Sequence, residues 1–330
     1  MVRKDAEGRV SSGVEAITLN DLPPGDVLIR VAYSSLNYKD ALACQGHPGV
    51  VRSFPHVPGV DCAGTIVESE SPDYRPGQEV LVTGYELGAS HWGGFAAFVR
   101  VPAEWIVPLP KGLSLRAAMI YGTAGFTAAQ CVTAIVERGI GSERGPVVVT
   151  GATGGVGCLS VAILAKLGYD VAAVTGKSER QDWLRRLGAR TILSREQVTD
   201  ATDRPLLSPR WAAAVDTVGG QPLATVLRSI DHRGSVAACG LVAGAELKLT
   251  VYPFILRGVT LAGIDSAKCP RRERLEMWHK LAGPWRVEQL DQIADEITID
   301  ELPDRVQKIL AGQIVGRVVV VPQSTKIGGT

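Results

Sequence analysis

Two short stretches gather the residue types that chemistry requires. The first is "TGATGGVG", Thr150 to Gly157, which follows a β-branched run and opens an apolar helical pattern. That context is the one a dinucleotide-binding turn needs: Gly154 lets the backbone approach a pyrophosphate, the N–H groups around Thr153, Gly155 and Val156 face it, and Gly157 allows close helix–strand packing. Ala152 stands where the first glycine of G-x-G-x-x-G is usual. The second stretch is "SSLNYKDAL", residues 34–42, in which Asn37, Tyr38, Lys39 and Asp40 crowd together after the strand-like run "VLIRVAY". It reads either as a solvated turn, with Asp40 as a helix N-cap, or as polar groups gathered around a reaction.

The second strand after the glycine turn ends "VTGKSER", with no carboxylate at its tip. An acidic residue there would bind a ribose 2′-hydroxyl. Thr175, Lys177 and Arg180 instead suit a 2′-phosphate, which favours NADPH over NADH. Gly240 and Leu241 follow the strand "SVAAC", at a sheet edge where ligands collect in open α/β folds. Arg317 precedes the last strand and is a candidate for a cofactor or coenzyme A phosphate.

The elements that must position these residues differ along the chain. The first ~118 residues carry short β-like runs broken by Gly and Pro, the texture of a compact β domain. From about Met119, strands alternate with helices: "PVVVT", "VAAVT", "TIL", "AAAVDT" and "GSVAACG" are separated by helical stretches, which predicts βαβ units and a parallel sheet. The tail adds a strand-like run (295–299), an amphipathic helix (302–310) and "GRVVVV"; it can finish the second sheet or return to the first domain.

Length and composition narrow the classes. The 330 residues suffice for two cores, and a net charge of +1 argues for neither a nucleic-acid nor a membrane-surface partner. No apolar run reaches the ~20 residues of a spanning helix. "MVRKDAEGRV" has no signal-peptide core, so the cytosol is the expected location. Six cysteines without a C-x-x-C pair and five scattered histidines leave no zinc motif.

Taken as a set, "SSLNYKDAL", "FPHVPGVDCAGTIV", "HWGGFAAFVRV", "GTAGFTAA", "TGATGGVG", "DTVGG", "ACGL", "PFILRGVTLAGIDS" and "GQIVGRVVV" resemble the zinc-independent quinone-oxidoreductase group of medium-chain dehydrogenases/reductases, most closely its acryloyl-CoA reductase branch. The resemblance implies a GroES-like catalytic domain over 1–118 completed by 288–330, and a Rossmann domain over 119–287. Zinc enzymes of this superfamily place cysteine at the position of Asn37 and histidine at that of Val60, so charge must be stabilised here by hydrogen bonds. It implies that "NYKD" faces a nicotinamide at a cleft, bordered by Asn37 and Thr123. Hydride transfer to the β-carbon of an enoyl thioester leaves an enolate needing a proton. Tyr38 is then the expected acid, with Lys39 or Asp40 tuning or orienting it and Asp61 in a proton relay. A short 2-enoyl-CoA is the expected substrate and a quinone the alternative. "PFILRGVTLAGIDS" suggests a homodimer. The first strand is expected to be truncated, because "MV" leads almost directly into "RKDAEGR".

Overall fold

The computed structural model describes residues 1–322. In chain order the elements are β1 (Val2–Lys4), β2 (Val10–Ser12), β3 (Val27–Leu36), α1 (Tyr38–Cys44), β4 (Asp61–Ser69), β5 (Glu79–Thr83), β6 (Phe98–Val101), β7 (Val107–Pro108) and α2 (Leu115–Val136). There follow β8 (Val147–Val149), α3 (Gly155–Lys166), β9 (Val171–Val174), α4 (Gln181–Arg186), β10 (Thr191–Leu193), β11 (Trp211–Asp216), α5 (Gly220–Ser229), β12 (Ile230–Ala238), α6 (Tyr252–Arg257) and β13 (Thr260–Gly263). The chain closes with α7 (Arg271–Ala282), β14 (Ala294–Thr298), α8 (Leu302–Leu310) and β15 (Arg317–Val321). Two compact units result: Met1–Thr123 with Ala267–Ala282 and Leu290–Thr330, and Ala124–Ser266 with Gly283–Gln289.

The first unit is built on a seven-stranded sheet in the order β14-β15-β3-β4-β5-β7, with β6 also paired to β3. Its pairs are antiparallel except β14–β15. The tail therefore returns to the first sheet. Val27, Ile29 and Val31 of β3 alternate into one core with Cys62, Ile66 and Val82, as a period of two requires. β3 also runs three residues past Tyr33, because Ser34, Ser35 and Leu36 pair with Val320, Val319 and Val318 of β15. The short β1 pairs with β2 in a two-stranded hairpin, and its Val2 also bridges to His56.

Residues 267–282 pack in the first unit, although the resemblance implies a Rossmann domain over 119–287. Arg274 of α7, fully buried, explains this. Its guanidinium donates to the carbonyls of Thr83 (2.6 Å) and Ala267 (3.0 Å) and lies 4.2 Å over the Tyr85 ring. A charge so far from water persists only where the backbone satisfies it.

The second unit carries a six-stranded, wholly parallel sheet in the order β10-β9-β8-β11-β12-β13. The strands read as unbroken apolar runs, as in "VVV" and "VAAV", because both faces are covered. Strand order reverses between β8 and β11, and ligands of such sheets sit at the carboxyl ends beside that switch point. α2 is long and apolar enough to cross a membrane, but most of it is buried in the fold and it is broken at Gly122.

Candidate active site

In the first unit the break in α2 and the start of β4 create a buried polar knot. Gly122 adopts φ 49° and ψ −156°, interrupting the helix. The interruption turns the Thr123 N–H towards Asp61 Oδ2 (2.9 Å), and the Thr123 hydroxyl donates to Oδ1 (2.6 Å). Oδ2 also accepts from Ser35 Oγ (2.6 Å) and Asn37 Nδ2 (2.8 Å). Arg317 lies beside it, with Nη2 3.9 Å from Oδ2. Both side chains are buried, at 3% exposure for Arg317 and 0% for Asp61. The guanidinium is spent inside the fold, donating to Ile120 O (2.9 Å), Leu36 O (3.2 Å), Asn37 Oδ1 (3.1 Å) and Ser35 Oγ (2.9 Å).

This geometry corrects several expectations. Arg317 does not reach out to a phosphate; its donors are turned inward. Asp61 is surrounded by donors and acts as an acceptor, taking hydrogen bonds from the Ser35 hydroxyl, the Asn37 amide and the Thr123 N–H and hydroxyl. Thr123 spends its N–H and hydroxyl on the same carboxylate. Asp40 is not the N-cap of α1, which is Asn37; it occupies the third helical position and closes a capping box by accepting from the Asn37 N–H at 2.8 Å. It further accepts from Asn37 Nδ2 (3.1 Å) and from the Val60 N–H (2.7 Å). Burial, together with the like charge of Asp61, pushes its carboxyl up to about 7, against the pull of these N–H donors. Asp40 is fully buried and positions α1 rather than Tyr38. Tyr38, first residue of that helix, is 44% exposed, so of the three expected catalytic groups it alone meets solvent.

The same knot decides whether a metal fits. Asn37 and Val60 are committed to Asp61, Arg317 and Asp40, and the guanidinium already supplies the positive charge beside Asp61. Among the described residues no group of three or more His, Cys, Asp or Glu could hold a metal ion. The donor set does not fit zinc.

In the second unit a cavity of about 210 Å³ opens at the carboxyl ends of the parallel strands. Thr150, Gly151 and Thr153 follow β8; Val174 ends β9, and Thr175 and Gly176 follow it. α3 begins at Gly155, with Gly154 as N-cap and no side-chain cap, which leaves its first N–H groups open to an anion. Thr153 and Thr175 face each other, their hydroxyls 3.4 Å apart, and Thr175 Oγ1 accepts from the Lys177 N–H (3.0 Å). Val156 lies within the first turn of α3. A Cβ on Gly157 would strike the Gly151 carbonyl, so this glycine serves helix–strand packing. Gly240 serves packing too, against the Thr217 carbonyl, while Leu241 is exposed. Neither Gly240 nor Leu241 lines the cavity; Val242 and Ala243 do.

Arg195 was missed in the sequence because it lies beyond the third strand, outside any motif. Its guanidinium lies across Gly176, where a Cβ would sit 2.7 Å from Nε. Burial holds the Lys177 ammonium below its ordinary value, against the opposing pull of the Glu179 carboxylate, with Arg180 and Arg195 adding to the depression. Three cations converging on one strand tip are the arrangement a phosphate relieves.

Comparison with known proteins agrees with this layout. Residues 23–111 match the alcohol dehydrogenase GroES-like domain and residues 155–282 the zinc-binding dehydrogenase domain. The acrylyl-CoA reductase AcuI of Ruegeria pomeroyi is 48% identical over 321 residues, covering 97% of each chain. The chain belongs to the medium-chain dehydrogenases/reductases. A Bacillus subtilis protein provisionally named quinone oxidoreductase YhfP is 49% identical over 312 residues, 94% of each chain. Among solved structures, the yhdH oxidoreductase of Salmonella enterica in complex with NADP superposes with a TM-score of 0.94 at 48% identity, covering 97% of this chain and 98% of that one. B. subtilis yhfP with NAD bound gives 0.94 at 47% identity, with coverage of 97% and 98%. The GroES-like and Rossmann expectation therefore holds for this member of the family.

Gly122 is the most constrained position of the knot. A Cβ there would lie 2.5 Å from Ser35 Oγ, 2.6 Å from Asp61 Oδ2 and 2.8 Å from Arg317 Nη2, on a backbone that L-residues rarely adopt. Gly122→Ala is expected to lower stability by about 2–4 kcal/mol in urea unfolding. A loss below ~0.5 kcal/mol would contradict the packing described.

Proposed function

We propose that this protein is an NADPH-dependent, zinc-independent reductase of a short 2-enoyl-CoA, converting acryloyl-CoA to propanoyl-CoA. The observation that carries the reading is the 48% identity, over nearly the full length of both chains, to the acrylyl-CoA reductase of R. pomeroyi. The similarity to YhfP favours NADPH:quinone oxidoreduction as the second reading.

The residues supply the following roles. The pyrophosphate is held at the N-terminus of α3, by the backbone around Thr153, Gly154, Gly155 and Val156. Lys177, Arg180 and Arg195 hold the 2′-phosphate, with Thr175 fixing the turn. When bound, NADPH supplies a hydride to the substrate β-carbon. Tyr38, the exposed phenol, then delivers a proton to the α-carbon of the enolate. Its position is held indirectly: Asp40 and Asn37 cap α1, and Asp61 with Arg317 fixes Asn37. Burying so many paired donors gives a rigid mount.

Two finer points belong to the same proposal. Val251, Tyr252, Ile255 and Leu256 of α6 and its approach are exposed at 44–67%, and β13 is an edge of the parallel sheet. An apolar patch beside an edge strand suits a homodimer. Six free cysteines suit a reducing, cytoplasmic location.

The reading is tested by following NADPH oxidation with acryloyl-CoA and a benzoquinone offered separately. Faster turnover of acryloyl-CoA, falling about 100-fold in Tyr38→Phe, is expected; turnover of quinone alone, unaffected by that change, would select the second reading. For cofactor choice, Arg195→Ala should raise the KM for NADPH about tenfold while that for NADH stays within about twofold. Equal effects on both would remove Arg195 from the phosphate site.

A further inference from the structure

The geometry points to Asp216 as a positioning residue that sets the width of the dinucleotide cavity by tying its two walls together. The inference rests on the cofactor reading above. Asp216 ends β11, is fully buried and does not line the cavity. Its Oδ1 accepts from the hydroxyl of Thr150 (2.7 Å), which follows β8 and opens the glycine turn. Its Oδ2 accepts from the Gly219 N–H (2.7 Å), in the loop that presents Val218 to the opposite side of the cavity. One rigid carboxylate thus spans the switch point between β8 and β11.

Further contacts cross the same span. Thr150 Oγ1, fixed by its donation to Asp216, accepts from the Thr217 N–H (3.0 Å), and the Thr217 hydroxyl donates back to Thr150 O (2.9 Å). Gly219 adopts φ 70°, and a Cβ there would lie 2.6 Å from Gly244 O and 2.9 Å from Gly240 O. The Ala243 N–H donates to Val218 O (2.7 Å), so the loop in turn places Val242 and Ala243, which also line the cavity. The Asp216 carbonyl accepts from the Cys239 N–H (2.9 Å) and anchors the end of β12. No side chain other than Asp216 holds both Thr150 and Gly219 among the described hydrogen bonds.

If Asp216 positions the walls, its loss must weaken cofactor binding without touching the acceptor chemistry. Cofactor affinity is read by NADPH and NADH fluorescence titration of the full chain, with kcat and KM for the acceptor alongside. Asp216→Ala is expected to weaken both cofactors at least about tenfold, since two hydrogen bonds to a charged acceptor are lost. The acceptor KM should stay within about twofold, and kcat at saturating NADPH within about threefold. Asp216→Asn, which keeps one acceptor oxygen, should fall between Asp216→Ala and the parent. Leu227→Ala, a fully buried core truncation of α5 outside the cavity, serves as a control of comparable lost stability and should bind NADPH normally. Parent-like affinity in Asp216→Ala, or an equal loss in Leu227→Ala, overturns the inference. A parent chain that binds neither cofactor overturns the proposed function and this inference with it, whereas a parent that binds and an Asp216→Ala that binds equally overturns the inference alone.

Discussion

The architecture of the first unit hangs on where the charge of Asp61 goes. A buried carboxylate must find donors from whatever elements can bring them, and here they come from three separate places in the chain, Ser35 at the end of β3, Asn37 ahead of α1 and Thr123 past the helix break, while the Arg317 guanidinium of the last strand stands 3.9 Å away as the counter-charge. Each of these forces a feature that would otherwise look arbitrary. β3 extends to Leu36 so that Ser35 arrives. α2 breaks at a glycine so that an N–H is freed to point sideways. The last strand returns to the first sheet and brings its arginine. Burying a charge pair need not stabilise a fold by itself, but removing one partner strands the other, which makes such a pair a strict selector of one arrangement.

That constraint bears on the chemistry. A site that holds its amide, hydroxyl and guanidinium groups around a fixed anion presents little that can move, and offers one exposed phenol at the head of a short, tightly capped helix. Electrostatic work done by groups that need not reorganise is the route open to an enzyme without a metal. The second unit follows a different logic. Its residues are delivered by the carboxyl ends of parallel strands, so chemical character comes from loop tips, and changing a tip from acidic to cationic changes the phosphate it accepts without disturbing the sheet.

Much of this was legible in the sequence, for identifiable reasons. The parallel sheet and its glycine turn announce themselves because strand, turn and helix signals lie within about twenty residues of one another. The amphipathic helix at 302–310 was found to the residue from its periodicity. What escaped depends on distance along the chain. Arg317 read as a candidate for a cofactor or coenzyme A phosphate because its four acceptors lie about 200 to 280 positions away. Asp40 and Asp61 looked reactive because sequence shows a carboxylate but not the N–H groups that claim its lone pairs. Arg195 and Asp216 fell outside the dinucleotide fingerprint, one beyond the third strand and one beneath the loop it holds. Residues 267–282 were placed with the wrong neighbours, since nothing local reveals that Arg274 is buried against Thr83.

The central claim, that Asp61 and Arg317 act as one buried unit that fixes the rest, is open to a double-mutant cycle. Asp61→Asn, Arg317→Met and the double variant would be unfolded in urea under identical conditions. The account predicts single losses of about 3–5 kcal/mol each and a double loss smaller than their sum by at least ~2 kcal/mol. Additive losses, within about 0.5 kcal/mol, would mean that the two charges are independent and that the knot is not what holds the site together.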